Sequence, residues 1–196
     1  PRVNAAARAI GGRSGVLPTP HKLGRLISLF LRVWMGGGGG DVFHKCRLVT
    51  AYNIPNSKPE GLTTNYQQIK RYCRRNNINM DPRELFYHDF AKQCRRWRES
   101  GETVGILVDA NEHAIDGRLY SIISSEGIRM VEFSHRFWGD VPPNSHVDGT
   151  DPITAFYGTD NLEVTQLQQL SHMCSVGDHK TWIVEITTRS LLGCNL

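Results

Sequence analysis

Thr103-Val-Gly-Ile-Leu-Val-Asp109-Ala-Asn111-Glu112 is the stretch on which the fold turns. Val104 to Val108 is a short apolar run bounded by polar residues and glycine, the pattern of a buried strand. The run breaks into an acid and, two positions on, an amide. Residues two apart on an extended chain point the same way, so Asp109 and Asn111 share one side of the strand end. Open α/β sheets keep their chemistry where strands give way to loops. Asp and Asn also form ordinary turns, so this pair alone leaves a plain strand end as an alternative.

Near the C-terminus, Gly177-Asp178-His179-Lys180 runs straight into Thr181-Trp-Ile-Val-Glu-Ile-Thr187, a further apolar strand. An adjacent Asp and His at a strand entry can handle protons if the ring meets a substrate. A third segment, Tyr52-Asn-Ile-Pro-Asn56, lies upstream. Tyr52 ends an expected strand from Val42. It reads either as a packing aromatic with a satisfied hydroxyl or as a site residue.

In this order the three segments resemble the endonuclease/exonuclease/phosphatase superfamily, the metal-dependent phosphoesterases related to apurinic/apyrimidinic endonucleases. The resemblance spans Leu48 to Leu192. It implies a four-layer α/β sandwich, incomplete at the N-terminus, and divalent-metal-dependent phosphodiester hydrolysis of DNA or RNA. On the matching positions it implies that Asp109 activates the attacking water and Asn111 donates to the phosphate. His179 would stabilise the transition state, Tyr52 would line the phosphate site, and Asp178 would hold magnesium or manganese. The overall texture is similar to the endonucleases that accompany reverse transcriptases in mobile elements.

Two departures from that pattern stand out. The superfamily's early metal-binding glutamate has no counterpart in residues 1–40, which contain no glutamate. The family also places an aspartate in the strand before the Asp-His pair, where it orients the histidine. Alignment on Pro152-Ile153 and Phe156-Tyr157 puts Thr154 there. Threonine accepts a hydrogen bond but supplies no charge to support an imidazolium. The competing expectation is therefore a catalytically inactive domain that binds nucleic acid or serves as an interaction module.

The remaining sequence sets the frame. A length of 196 residues fits one domain, and a hydrophobic content of 39% supports a core. Residues 1–40 form a poorly defined segment with the Gly36–Gly40 run, and 41–196 form the partial phosphoesterase domain. Leu23 to Met35 fits either a helix or a strand, with strand preferred from the resemblance. The net charge of +4 mildly favours an anionic partner. No apolar run is long enough for a membrane helix. The five cysteines are scattered without a Cys-x-x-Cys spacing, so a reducing, intracellular compartment, nuclear or cytoplasmic, is expected.

Thr64-x-x-Gln67 opens a helix to about Asn76. Asp81-Pro82 opens a second, with Phe86, Phe90, Cys94 and Trp97 on one stripe and Gly101 as its stop. The basic residues of these helices, Lys70, Arg71, Arg74 and Arg75 among them, read as solvated faces or as phosphate contacts. Leu119 to Gly127 is a third helical stretch. Strands are expected at Thr154–Gly158 and Asn161–Gln169. His113, His135 and His146 show no partner spacing for a metal and read as surface or loop residues.

Overall fold

The computed structural model describes residues 15–16, 26–34, 43–55, 60–140 and 142–193. The Gly36–Gly40 run and most of residues 1–40 lie outside the described residues. Six strands form a mixed sheet: β1 (Gly15–Val16), β2 (Leu26–Trp34), β3 (Phe43–Tyr52), β4 (Thr103–Asp109), β5 (Val131–Glu132) and β6 (Thr154–Gly158). Their order is β1-β2-β3-β4-β6-β5. The ambiguous apolar stretch after Leu23 is thus a strand, paired antiparallel with β3.

β3 and β4 run parallel, which demands a long crossover. Helices α1 (Asn65–Arg75) and α2 (Pro82–Glu99) supply it. Each starts where its cap residues dictate. Thr64 accepts from the Gln67 N–H, and Asp81 accepts from the Arg83 N–H at 2.8 Å, with Pro82 next. Arg74 and Arg75 occupy the last turn of α1, where cations suit the helix dipole. The stripe of Phe86, Phe90, Cys94 and Trp97 is buried. It packs with Val49, Val104, Ile106, Val108 and Tyr157 on one face of the sheet. Gly101 follows α2 with φ of +69°, a conformation that favours glycine.

The opposite face carries Leu107 and Phe156, covered by a separate two-stranded ladder of β7 (Val164–Gln169) and β8 (Trp182–Ile186). Three short helices, α3 (Arg118–Ile123), α4 (Ser134–Trp138) and α5 (Thr188–Leu192), lie among the described residues after β4. The helical layer, the mixed sheet and the two-stranded ladder are those of the α/β sandwich expected from the sequence. Two boundaries shift. The third helix stops at Ile123, because the chain turns at Ser124 rather than at Gly127. β7 begins at Val164, because the Asn161 side chain is engaged in the preceding turn, donating to Thr103 Oγ1 at 2.8 Å.

Gly105 and Gly158 face each other across β4 and β6. Their missing side chains make the room that Leu162 fills. A Cβ on Gly158 would meet Leu162 Cδ2 at 2.6 Å and the Val104 carbonyl oxygen at 2.8 Å. Backbone cannot yield as a side chain can. Gly158→Ala is therefore expected to destabilise the fold by about 1–3 kcal/mol, the usual cost of overpacking. Urea denaturation would read this as a lower midpoint with an unchanged m-value.

Candidate active site

The strand register builds the site. Tyr52 pairs with Asp109 across β3 and β4, and Asp109 pairs with Thr154 across β4 and β6. Directly opposed residues project to the same face of a sheet. The three side chains therefore form a row at the end of the sheet, on the side of the β7–β8 ladder. Local turn chemistry fixes the chain just past each strand end. Asn53 is fully buried, its N–H bonded to the Asp109 carbonyl and its side chain to the Ala110 carbonyl and the Ile54 N–H. Asn111 leaves the strand with φ of +48°, which asparagine tolerates better than most residues. Its N–H returns to Asp109 Oδ1 at 3.2 Å, and its amide donates to the Asn53 carbonyl at 2.7 Å.

His179 arrives from another part of the chain and is clipped in place. The loop before β6 pairs with the loop before β8 through an isolated antiparallel bridge of His146 and His179. The Val147 N–H bonds the Asp178 carbonyl at 2.8 Å, and the Lys180 N–H bonds the Ser145 carbonyl at 2.9 Å. Ser145, fully buried, accepts from both the Ile153 and Thr154 amides at 3.0 Å, so the clip is tied to the start of β6. His179 Nε2 then lies 3.5 Å from Asp109 Oδ2. Its Nδ1 lies 3.3 Å from Thr154 Oγ1.

Three of the side chains singled out from sequence, Asp109, Thr154 and His179, therefore meet at one place. His179 touches both Asp109 and Thr154, which are paired neighbours across the sheet. Tyr52, paired with Asp109 across the strands, lies beside the Asn111 and Asn65 side chains. Asp178 stands at the solvent edge beside His146, with His146 Nε2 3.4 Å from Asp178 Oδ2.

His146 departs from the expectation of a loop residue without a metal partner. Its ring meets that of His179 edge-on, 5.1 Å between centroids. The spacing of His146 from Asp178 and His179 along the chain carries no signal, because a bridge between two loops makes the contact. His113 and His135 do lie beside local acids, Asp116 and Asp140, and away from this cluster.

A second group escapes sequence reasoning. Beneath Asn111, Glu112 accepts from Arg83 at 2.6 Å, from the Tyr87 hydroxyl at 2.7 Å and from the Leu119 N–H at 2.6 Å. Arg83 also donates to the Ile54 and Asn111 carbonyls. Burial first, then the bond to Glu112, pushes the Tyr87 hydroxyl up to about 12. Arg83, in sequence only part of a helix start, thus braces both loops that carry site residues.

Electrostatics separate the two acids. Burial raises the Asp109 carboxyl above its usual range, and the facing His179 pulls only partly the other way. Asp178 is exposed and sits below the usual range, held there first by its own backbone N–H and then by His179 and His146. Burial, then the neighbouring Asp109 charge, raises the Tyr52 hydroxyl. Among the described residues, one His/Asp group has ligand atoms close enough to share a metal ion, all within 4.8 Å: His146, Asp178 and His179.

A raised carboxyl has a definite sign in stability. The folded state binds the Asp109 proton more tightly than the unfolded chain does. That favours folding below the unfolded value of about 3.9 and is lost as pH rises through the higher folded value. Ionised Asp109 thus costs stability at neutral pH. Asp109→Asn is expected to raise the melting temperature at pH 7 by roughly 2 °C for a domain of this size. The gain should vanish below the carboxylate range, as thermal melts across a pH series would show.

No protein-family model matches the chain, and no curated protein matches it. Solved structures do. The catalytic domain of human Nocturnin, with a bound sulfate anion, superposes with a TM-score of 0.52 at 9% identity, over 83% of this chain and 53% of that one. The Xenopus laevis APE2 catalytic domain gives 0.48 at 15% identity, over 86% and 61%. An endonuclease/exonuclease/phosphatase family protein from Leptotrichia buccalis gives 0.43 at 14% identity, over 82% and 53%. The chain thus spans between 53% and 61% of the length of these structures. At such identities likeness speaks to fold alone. The architecture is the endonuclease/exonuclease/phosphatase fold that the three sequence segments resemble.

Proposed function

We propose that this chain carries part of a phosphodiesterase active site, directed at nucleic acid, with Asp109 and His179 at its centre. The observation that carries this reading is the His179 ring held between Asp109 Oδ2 and Thr154 Oγ1. An acid and an imidazole in contact at a strand end can move a proton between an attacking water and a phosphate oxygen. Asp109 takes the water's proton, its raised carboxyl giving it more basicity than a free aspartate. His179 and the side-chain amide of Asn111 stabilise negative charge on the phosphoryl oxygens. Tyr52 lines the approach.

Thr154 sets the limit on this machinery. A hydroxyl can donate to Nδ1 or accept from it, so it fixes neither tautomer of His179. A carboxylate would hold the proton on Nδ1 and support the charged ring.

A divalent metal would neutralise phosphate charge here when bound. Magnesium and manganese, implied by the resemblance, prefer oxygen ligands. The converging group offers one carboxylate and two imidazoles. That donor set fits magnesium poorly.

The nucleic-acid assignment rests on α1. Asn65 opens the helix beside Tyr52, and Arg71, Arg74 and Arg75 are exposed along it. Such a row can follow a phosphate backbone. Among the described residues no helix is long and apolar enough to cross a membrane.

Hydrolysis of bis-nitrophenyl phosphate and nicking of plasmid DNA test the reading. His179→Ala should lower the rate by about 10²- to 10⁴-fold, the usual worth of a proton-transfer group. Thr154→Asp should raise it, and His179→Ala should abolish that gain. If neither the wild-type chain nor Thr154→Asp hydrolyses either substrate with any divalent ion, the hydrolytic reading fails. Salt-dependent nucleic-acid binding in that case would point to a binding module.

A further inference from the structure

We propose that His146, Asp178 and His179 form a binding site for a late first-row divalent ion, zinc foremost, rather than for magnesium. Their ligand atoms lie within 4.8 Å of one another. The two histidines sit opposite each other on a backbone bridge, closed by the Val147 N–H to Asp178 carbonyl bond and the Lys180 N–H to Ser145 carbonyl bond. The ligands are therefore brought together by main-chain pairing before any ion arrives. Zinc would hold them at bond lengths of about 2.0–2.2 Å. Imidazole nitrogens suit zinc and its neighbours, whereas magnesium gives up its waters reluctantly and takes oxygen. Three protein ligands leave a fourth position open, the arrangement of reactive rather than purely structural zinc sites.

The surroundings of His179 suit ligation. With Nε2 of His179 on the ion, its Nδ1–H faces Thr154 Oγ1, supplying the outer hydrogen bond that orients a ligating histidine. His146 holds its proton on Nε2, because Nδ1 accepts from the Asp148 N–H at 3.1 Å. An ion on Nε2 sends that proton to Nδ1, and the Asp148 amide must then turn to solvent. Asp148 lies in an exposed turn, so this costs little. The site does not depend on the proposed hydrolysis, but zinc bound there would withdraw His179 from a phosphate.

Zinc titration against a chromophoric chelator tests the site, in a Cys174→Ser, Cys194→Ser background that removes the thiol exposed among the described residues and the one outside them. One zinc per chain is expected, not displaced by excess magnesium. His146→Ala, His146→Gln and Asp178→Asn should each weaken it by roughly 10- to 100-fold or more. The Asp148 amide resonance should move with zinc in a ¹⁵N spectrum. Unchanged zinc affinity in a His146 variant that keeps its circular dichroism, or displacement of zinc by magnesium, would overturn the proposal. Because the readout is binding, failure here leaves the hydrolysis assays untouched, and failure of those assays leaves the zinc titration untouched.

Discussion

The register that places Tyr52, Asp109 and Thr154 in one row across β3, β4 and β6 is the constraint on which the site depends. A strand slipped by one residue turns every side chain to the other face. Asp109 would then face the helical layer, where Val108 now packs, and could not meet His179. Burial on both faces protects against such a slip. Val104, Ile106 and Val108 are fully buried against α2 and α3, while Leu107 is held by the β7–β8 layer. The Gly105–Gly158 pair adds a steric lock, because only there is room for Leu162. Hydrophobic packing thus fixes the position of a polar site with which it shares no chemistry.

The same architecture carries a cost at its centre. Asp109 is kept partly from water, so its ionised form is disfavoured. A carboxylate held this way is more basic than a free one and less comfortable in the fold, a trade common where stability and activity compete. Beneath it, Arg83 and Glu112 form a largely buried pair that also receives the Tyr87 hydroxyl. Such pairs gain little net stability, but losing one partner strands the other. Their use here is geometric. Arg83 grips the Ile54 and Asn111 carbonyls, and Glu112 receives the first turn of α3 through Leu119. The loops after β3 and β4 are therefore braced as one unit.

Much of this is legible in the residues. The apolar run into Asp109, the caps at Thr64 and Asp81, and the stripe from Phe86 to Trp97 each carry a local signal, and the structure places them as those signals say. Alignment puts Thr154 beside His179, and the two side chains do meet. His146 is not legible, because its partners come through a bridge between distant loops and no periodicity encodes that. Arg83 and Glu112 are hidden for a similar reason. A charged residue on a helix reads as solvated until the loop that buries it is known. The end of α3 differs from expectation because a glycine is a common stop but Ser124 already turns the chain.

The central claim is that one imidazole answers to two strands, with Asp109 on one nitrogen and Thr154 on the other. Long-range ¹⁵N spectra of the His179 ring test it most directly. In Thr154→Val the Nδ1 resonance should move most, and in Asp109→Asn the Nε2 resonance should move most, because each variant changes the partner of one nitrogen. Ring resonances that ignore both substitutions would contradict the account and place His179 away from the row.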